Sequence, residues 1–149
     1  MALFEAVEES GHSKKRRRLI IGACVVVLGA IGLWWLLRFH TERVTILHFM
    51  NAVVAGNMQQ AYQIWKPSPS YSFKDFQDDW GPNGYYGPVR SFNVADSSHP
   101  KLSTSVEVKI ELSPYQPFPP KDDMLKQSKT KEVRLWVQSK NQSISFPPY

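Results

Sequence analysis

The feature that most constrains this chain is an uninterrupted apolar run near its N-terminus. Residues Leu19–Leu37 number 19 and include no charged side chain. A helix rises about 1.5 Å per residue, so a helix of this length covers roughly the 30 Å hydrocarbon layer of a bilayer. We expect a transmembrane helix here, over residues 19–39.

A cleavable signal peptide is the alternative interpretation of such a run. Signal peptides have an apolar core of about 7–15 residues, followed by small residues at the cleavage site. Here Trp34, Trp35 and Phe39 stand near the end of the run instead, and bulky rings of this kind are enriched at membrane interfaces. We expect an uncleaved signal anchor, with these three aromatic residues at the membrane interface.

The charges that flank the run predict its orientation. Arg38 and Arg43, partly offset by Glu42, follow it. Five consecutive basic residues precede it: Lys14, Lys15, Arg16, Arg17 and Arg18. Because cytoplasmic flanks carry the excess of Lys and Arg, residues 1–18 are expected to form a cytoplasmic tail. Residues 44–149 would then form a periplasmic or extracellular domain of a single-pass protein of the inner or cytoplasmic membrane.

The net charge of +5 does not point to nucleic acid, because the dense run of basic residues is the N-terminal cluster Lys14–Arg18. From Val44 onward, 11 Lys and Arg stand against 9 Asp and Glu, and no basic face with interleaved aromatic residues is visible, so no nucleic-acid partner is expected. Cys24 is the only cysteine and lies in the apolar run. The domain that follows is therefore predicted to contain no disulfide and no thiolate metal site.

Three helices are predicted to follow the membrane segment. The first has apolar residues at helical spacing, Val44, Leu47, Met50 and Val54, with Ile46, Phe49 and Val53 beside them, and Gly56 ends it. Asn57 can cap a second helix over Met58–Trp65. Ser72 and Asp75 have the spacing of a capping box and open a third helix, with Phe73, Phe76 and Trp80 on one side.

Strands are predicted after the segment Gly81–Pro88, whose glycines and prolines favour turns. The clearest strand alternates Val106, Val108, Ile110 and Leu112 with polar residues. Three more strands are expected at Arg90–Asp96, Glu132–Ser139 and Ser143–Phe146, with a long exposed loop over Ser113–Lys131. Helices followed by an antiparallel meander predict an α+β fold, with about three helices packed on a curved sheet of about four strands.

The helical part carries a resemblance to a known family. The stretch from Phe49 to Trp65, a helix followed by Gly56-Asn57 and a short helix bearing Ala61-Tyr62, resembles the nuclear transport factor 2-like (cystatin-like) cone domains. The resemblance covers about Val44–Tyr149. It implies a strongly curved sheet covered by the helices. Single-pass members of that superfamily resemble accessory or assembly subunits of larger membrane complexes, such as secretion-channel components and oxidase-assembly factors.

Residues that could carry chemistry are few. Enzymes of that superfamily place an Asp, His or Tyr inside the cone, but His48 is interpreted as a structural histidine beside the core. Asp75, Asp78 and Asp79 are interpreted as a solvated helix face, and His40 could bind a haem or pigment only together with a partner. The histidines show no metal-ligand spacing. We expect no catalytic residue, metal or cofactor, and no enzymatic activity.

The aromatic residues Trp80, Tyr85 and Tyr86 are the candidate partner-binding residues, because rings on a Gly- and Pro-rich loop are typical of binding hot spots. Closure of the mouth of the cone is an equally open role for them. The expected function is that of a non-catalytic accessory or assembly subunit that binds proteins of a membrane complex. The alternative is a membrane-tethered cone that binds a small ligand or is an enzyme, which a polar pocket with a perturbed acid or base would favour.

Overall fold

The computed structural model describes residues 9–148, with side chains from Lys14 onward, and confirms the α+β class. The chain divides into two units between Arg38 and Phe39. The described part of the first unit contains one helix, α1 (Glu9–Leu37). Within the described residues it is the one helix long and apolar enough to cross a membrane, by length and composition. The helix begins ahead of the apolar run, so the five basic residues lie on its N-terminal turns.

The second unit begins with α2 (His40–Val54), which ends at Ala55 and Gly56, where Gly56 has a φ of +75°. Phe39, which the sequence grouped with the anchor, is the N-cap of α2 and packs against the core of this unit instead. Ile46, Phe49 and Met50 are fully buried. The apolar residues predicted at helical spacing are not all buried, because Leu47 is 40% exposed, so that prediction is partly wrong. The buried face is centred on Phe49 and Val53, and Leu47, two residues before Phe49 and so about 160° around the helix from it, lies on the opposite side.

Two short helices follow, with the predicted boundaries and caps. In α3 (Met58–Trp65) the Asn57 side chain accepts a hydrogen bond from the Gln60 amide at 3.2 Å. In α4 (Phe73–Trp80) the capping box is complete: the Ser72 hydroxyl accepts from the Asp75 amide at 3.2 Å, and the Asp75 carboxylate accepts from the Ser72 amide at 2.9 Å. These reciprocal bonds satisfy amides that a helix N-terminus leaves without partners.

A four-stranded antiparallel sheet forms the second layer, in the order β1 (Ser91–Ser98), β2 (Ser105–Ser113), β3 (Lys131–Gln138) and β4 (Ile144–Ser145). The alternation predicted for β2 is confirmed, since its four apolar side chains are buried. In register, Val108 pairs with Leu135 and Ile110 with Val133. The predicted loop between β2 and β3 contains one helical turn, α5 (Met124–Gln127), that the sequence analysis did not anticipate.

The core between the helices and the sheet is built around aromatic rings. Phe49 on α2 contacts three rings, with centroids at 5.3 Å for Trp65, 6.2 Å for Phe76 and 5.0 Å for Trp80. On the sheet side, the buried apolar residues are all aliphatic: Val106, Val108, Ile110, Leu112, Val133, Leu135, Val137 and Ile144. This packing supports the loop that follows α4, because Trp80 is the last residue of that helix.

Candidate partner-binding surface

The segment from Gly81 to Pro88 is a loop folded back on the end of α4. The amides of Tyr85 and Tyr86 donate to the carbonyls of Asp78 and Asp79, at 2.9 and 2.8 Å. Inside the loop, the Gly84 amide donates to the Gly81 carbonyl at 2.9 Å. A Cβ at Gly84 would lie 2.8 Å from the Asp78 carbonyl oxygen, so a side chain there would clash with backbone. These contacts hold the loop in one shape.

Two of the three aromatic candidates belong to the interior. Trp80 is 1% exposed, which corrects its interpretation as an exposed residue. The Tyr86 ring is half-buried and stacks on Trp80 with centroids 4.9 Å apart, and on Phe146 with centroids 5.9 Å apart. Of the two roles considered, Trp80 and Tyr86 therefore have the geometry of a plug that closes the core.

Tyr85 is the member of the group that lies on the surface, with 71% of its area exposed. Its ring stands at 90° to that of Tyr86, with centroids 4.9 Å apart. Lys131 at the start of β3 holds it from the other side: the ammonium donates to the Tyr85 carbonyl at 2.5 Å and lies 5.6 Å from the ring centroid. Tyr85 is thus an outward-facing aromatic side chain in contact with Tyr86 and Lys131.

A groove of about 580 Å³ runs beside Tyr85 and ends at the C-terminal prolines. We call Tyr85 and this groove the Tyr85 surface. Its lining combines aromatic, proline and charged side chains: Asp79, Tyr85, Tyr86, Glu132, Val133, Arg134, Phe146, Pro147 and Pro148. Aromatic residues and arginine are enriched in protein interfaces. The groove is open to solvent, which suits a polypeptide segment better than an enclosed small molecule.

Charged groups around the groove are committed to structural bonds. The Tyr71 hydroxyl donates to Asp79 at 2.6 Å, and burial together with this bond raises the pKa of Tyr71. The Lys109 ammonium lies 2.8 Å from the Glu132 carboxylate, and this bond, followed by one from Arg134, lowers the pKa of Glu132. Glu132 is therefore held as an anion, and Tyr71 as a neutral phenol. Neither has the properties of a general acid or base near neutral pH.

The other candidate residues lie apart from this surface. His48 is exposed on α2, so its interpretation as a structural histidine beside the core is wrong. His40 is exposed at the start of the same helix. Asp75 belongs to the capping box, and hydrogen bonds from the Ser72 side chain and then its backbone lower the pKa of Asp75. No group of three His, Cys, Asp or Glu suited to a metal occurs within the described residues.

The residues assigned to the membrane lie on α1, apart from Phe39. Lys14, Lys15, Arg16, Arg17 and Arg18 are exposed, as are Trp34 and Trp35. The Arg38 guanidinium lies 5.5 Å from the Trp34 ring centroid, a cation–π contact that joins the last turn of the helix to the residue after it. Their roles in orientation and at the interface stay predictions.

These features define the class: an α+β unit of helices on an open antiparallel sheet, preceded by an apolar helix of membrane-spanning length. In comparisons with known proteins, no protein family, curated protein or solved structure matches the chain.

Proposed function

We propose that the chain is a non-catalytic accessory or assembly subunit of a membrane complex, held by one transmembrane helix, and that its second unit binds a protein partner through the Tyr85 surface. The N-terminus lies in the cytoplasm, and the second unit lies in the periplasm or extracellular space. The second unit is of the nuclear transport factor 2-like type. The exposed ring of Tyr85, in contact with Tyr86 and Lys131, is the observation that carries the partner-binding part of this proposal.

Exposure of α1 supports the membrane part. Leu36 is 81% exposed and Trp35 is 69% exposed, and the apolar side chains before them lie on every side of the helix. A helix that is apolar all round is stable only when it is buried in protein or lipid. The charge difference across the helix supports the orientation, because five basic residues precede the apolar run and the flank after it is weakly charged.

Rigidity supports the choice of Tyr85 as an anchor for a partner. A tyrosine has two side-chain torsions, and this one is already constrained by Tyr86 and Lys131. Little conformational entropy is lost when such a ring is covered, so more of the contact energy becomes affinity. Central, pre-ordered aromatic residues of this kind account for much of the affinity of protein interfaces.

Packing of the interior favours this function over a ligand-binding or enzymatic cone. Phe49, Met50, Phe76, Ile110 and Leu135 each have 0% exposure. A side chain beside a cavity large enough for water would retain accessible surface, so no such space adjoins these residues. Where a cone enzyme would hold its substrate, this unit holds aromatic and aliphatic side chains.

Affinity purification with a paired variant tests the partner-binding part. The full-length chain, extracted in mild detergent from its own membranes, is compared with Tyr85→Ala and Tyr115→Ala. Tyr115 is a matched control because it is also exposed and also has a lysine ammonium, that of Lys126, 6.0 Å from its ring centroid. We expect Tyr85→Ala to lose the co-purifying protein by tenfold or more, about 1.4 kcal/mol or greater, and Tyr115→Ala to retain it.

Equal recovery with both variants, or recovery of the chain alone from wild-type membranes, would contradict this proposal. Topology is tested separately by protease accessibility in intact cells or spheroplasts. Replacement of the five basic residues by neutral ones is expected to weaken or invert the orientation. Unchanged accessibility of the second unit after that replacement would refute the orientation argument.

A further inference from the structure

The end of the second unit at which α2 begins carries a second unusual surface. The Thr45 hydroxyl donates to the Gln142 side chain at 2.8 Å, which joins the first turns of α2 to the β3–β4 turn. The Gln138 side chain then donates to the Thr104 hydroxyl at 3.1 Å, which joins that turn to the β1–β2 turn. We call the start of α2, Lys66 and these two turns the N-proximal end. It lies at the opposite end of the strands from the Gly81–Pro88 loop, which leads into the start of β1.

Leu102, at the tip of the β1–β2 turn, is the most exposed of the large apolar side chains described, at 109% of the reference area. Its φ is +62°, in the left-handed region that Gly and Asn adopt far more readily. Both the exposure and the backbone conformation are unfavourable for a leucine in water. A polar or glycine residue would suit this position better unless the side chain has an apolar environment when the protein functions.

The segments that form the N-proximal end are basic. Glu42 is the sole acidic residue on the segments 40–45, 66–70, 97–104 and 139–143, and it is 7% exposed. The same segments carry four exposed basic residues, Arg43, Lys66, Lys101 and Lys140. Lys66 is tied to the β3–β4 turn because its ammonium donates to the Asn141 carbonyl at 2.5 Å. The N-proximal end therefore presents positive charge with an apolar side chain at its tip.

We propose that the N-proximal end docks on an anionic lipid surface, with Leu102 inserted among the headgroups and the basic residues above the lipid phosphates. This inference rests on the proposed function, because it takes α1 to be embedded in the bilayer. Only Arg38 and Phe39 separate α1 from α2, and the three steps from Leu37 to His40 reach no more than about 11 Å. Chain length alone thus keeps the start of α2 near the lipid that surrounds the anchor, at high effective concentration.

The composition favours lipid over a protein partner. Three of the four cations are lysines, and lysine is depleted in protein interfaces, whereas arginine and aromatic residues are enriched. Basic residues beside an exposed aliphatic side chain are the combination found on surfaces that lie in the lipid headgroup region. The Tyr85 surface shows the contrasting composition, with tyrosine, phenylalanine and arginine.

An environment-sensitive fluorophore at two matched leucines tests the proposal in the full chain. Cys24→Ala removes the native thiol, and Leu102→Cys or Leu125→Cys is then labelled with a nitrobenzoxadiazole group. Leu125 is a suitable control because it is 84% exposed and lies in the β2–β3 connection, at the other end of the sheet. Each protein is reconstituted in vesicles of phosphatidylcholine alone or with phosphatidylglycerol, and quenching by spin-labelled lipid is measured.

We expect the label at residue 102 to be shifted to shorter wavelength and quenched at least about twofold more than the label at 125, in anionic vesicles. About 1 M NaCl, where the Debye length is about 3 Å, should weaken the difference. The substitutions Lys101→Gln and Lys140→Gln should each reduce the docking equilibrium about fivefold. Neither lysine side chain makes a hydrogen bond or ion pair on which the fold depends, so both variants are expected to fold as the wild type does.

Flotation with the vesicles separates the two proposals. If the protein floats and the labels at 102 and 125 behave alike, the docking inference is wrong and the anchor stands. A difference that does not depend on anionic lipid would also overturn it. If the protein does not float, both the anchor and the docking that rests on it are refuted.

Discussion

Truncation of Tyr86 is the sharpest test of the division between plug and surface residues. The Tyr86 ring contacts Trp80, Tyr85 and Phe146 at centroid distances of 4.9, 4.9 and 5.9 Å. Removal of a fully buried aromatic side chain costs about 3–5 kcal/mol. Tyr86 is half-buried, so we expect Tyr86→Ala to lower the free energy of unfolding by about 2–3 kcal/mol, including the lost ring contacts.

The neighbouring Tyr85 is the matched control. Its ring is 71% exposed and contacts Tyr86 and the Lys131 ammonium. An exposed cation–π contact contributes about 0.5–1 kcal/mol, so Tyr85→Ala should cost less than about 1 kcal/mol. The two variants thus differ by at least about 1 kcal/mol, which corresponds to roughly 4 °C or more in Tm for a unit of this size.

The assay is thermal unfolding of the full chain in detergent micelles, followed by near-ultraviolet circular dichroism. This signal comes from aromatic side chains, most of which lie in the second unit; Trp34 and Trp35 of α1 contribute equally in both variants. A Tm for Tyr86→Ala within about 2 °C of that for Tyr85→Ala would show that the ring stack does not stabilise the second unit. The assignment of Tyr86 to the core would then be wrong.

Three further substitutions probe the fold. Ser72→Ala should cost about 1 kcal/mol of stability at neutral pH, because the N-cap is lost. The Ser72 bonds lower the pKa of Asp75, so the wild type should lose stability as the pH falls from about 5 through that lowered pKa. Urea titrations at several pH values should show a smaller loss of this kind in the variant. Leu102→Asn should raise stability by about 0.5–1 kcal/mol by relief of the left-handed strain at this position, whereas Leu125→Asn should give no gain by the same measurement. Ile110→Ala, at a site with 0% exposure, should cost about 2–5 kcal/mol, and a loss below 1 kcal/mol in urea unfolding would contradict the two-layer core.

Local signals in the sequence were sufficient to predict most of the helices and strands. Asn57 and the pair Ser72 and Asp75 predicted helix starts correctly because capping depends on residues within one turn. The alternation along β2 predicted its buried face for a similar reason. The face of α2 was predicted less well, because apolar residues extend around much of that helix and packing against α3 and the sheet decides which of them are buried. The turn α5 was missed because four residues are too few for a periodic pattern.

The exposed residues of the candidate surfaces could not be predicted from local sequence signals. Composition drew attention to the Gly- and Pro-rich loop, but it could not distinguish the exposed Tyr85 from the buried Trp80 and the half-buried Tyr86. That separation depends on the backbone bonds from Tyr85 and Tyr86 to Asp78 and Asp79. Leu102 was missed entirely. Its signal was a leucine between Lys101 and Ser103 in a turn where glycine or asparagine is usual.

The positions of the two surfaces limit the kind of partner that this chain could bind. β2 has nine residues and extends between the two ends of the sheet, a length of about 30 Å at about 3.3 Å per residue. If the N-proximal end rests on lipid as proposed, Tyr85 stands about that far from the headgroups. A protein confined to the bilayer plane would not reach it. We therefore expect the protein lost from the Tyr85→Ala purification to have a folded extracytoplasmic domain of its own, and crosslinks from Tyr85→Cys to map to that domain rather than to transmembrane segments.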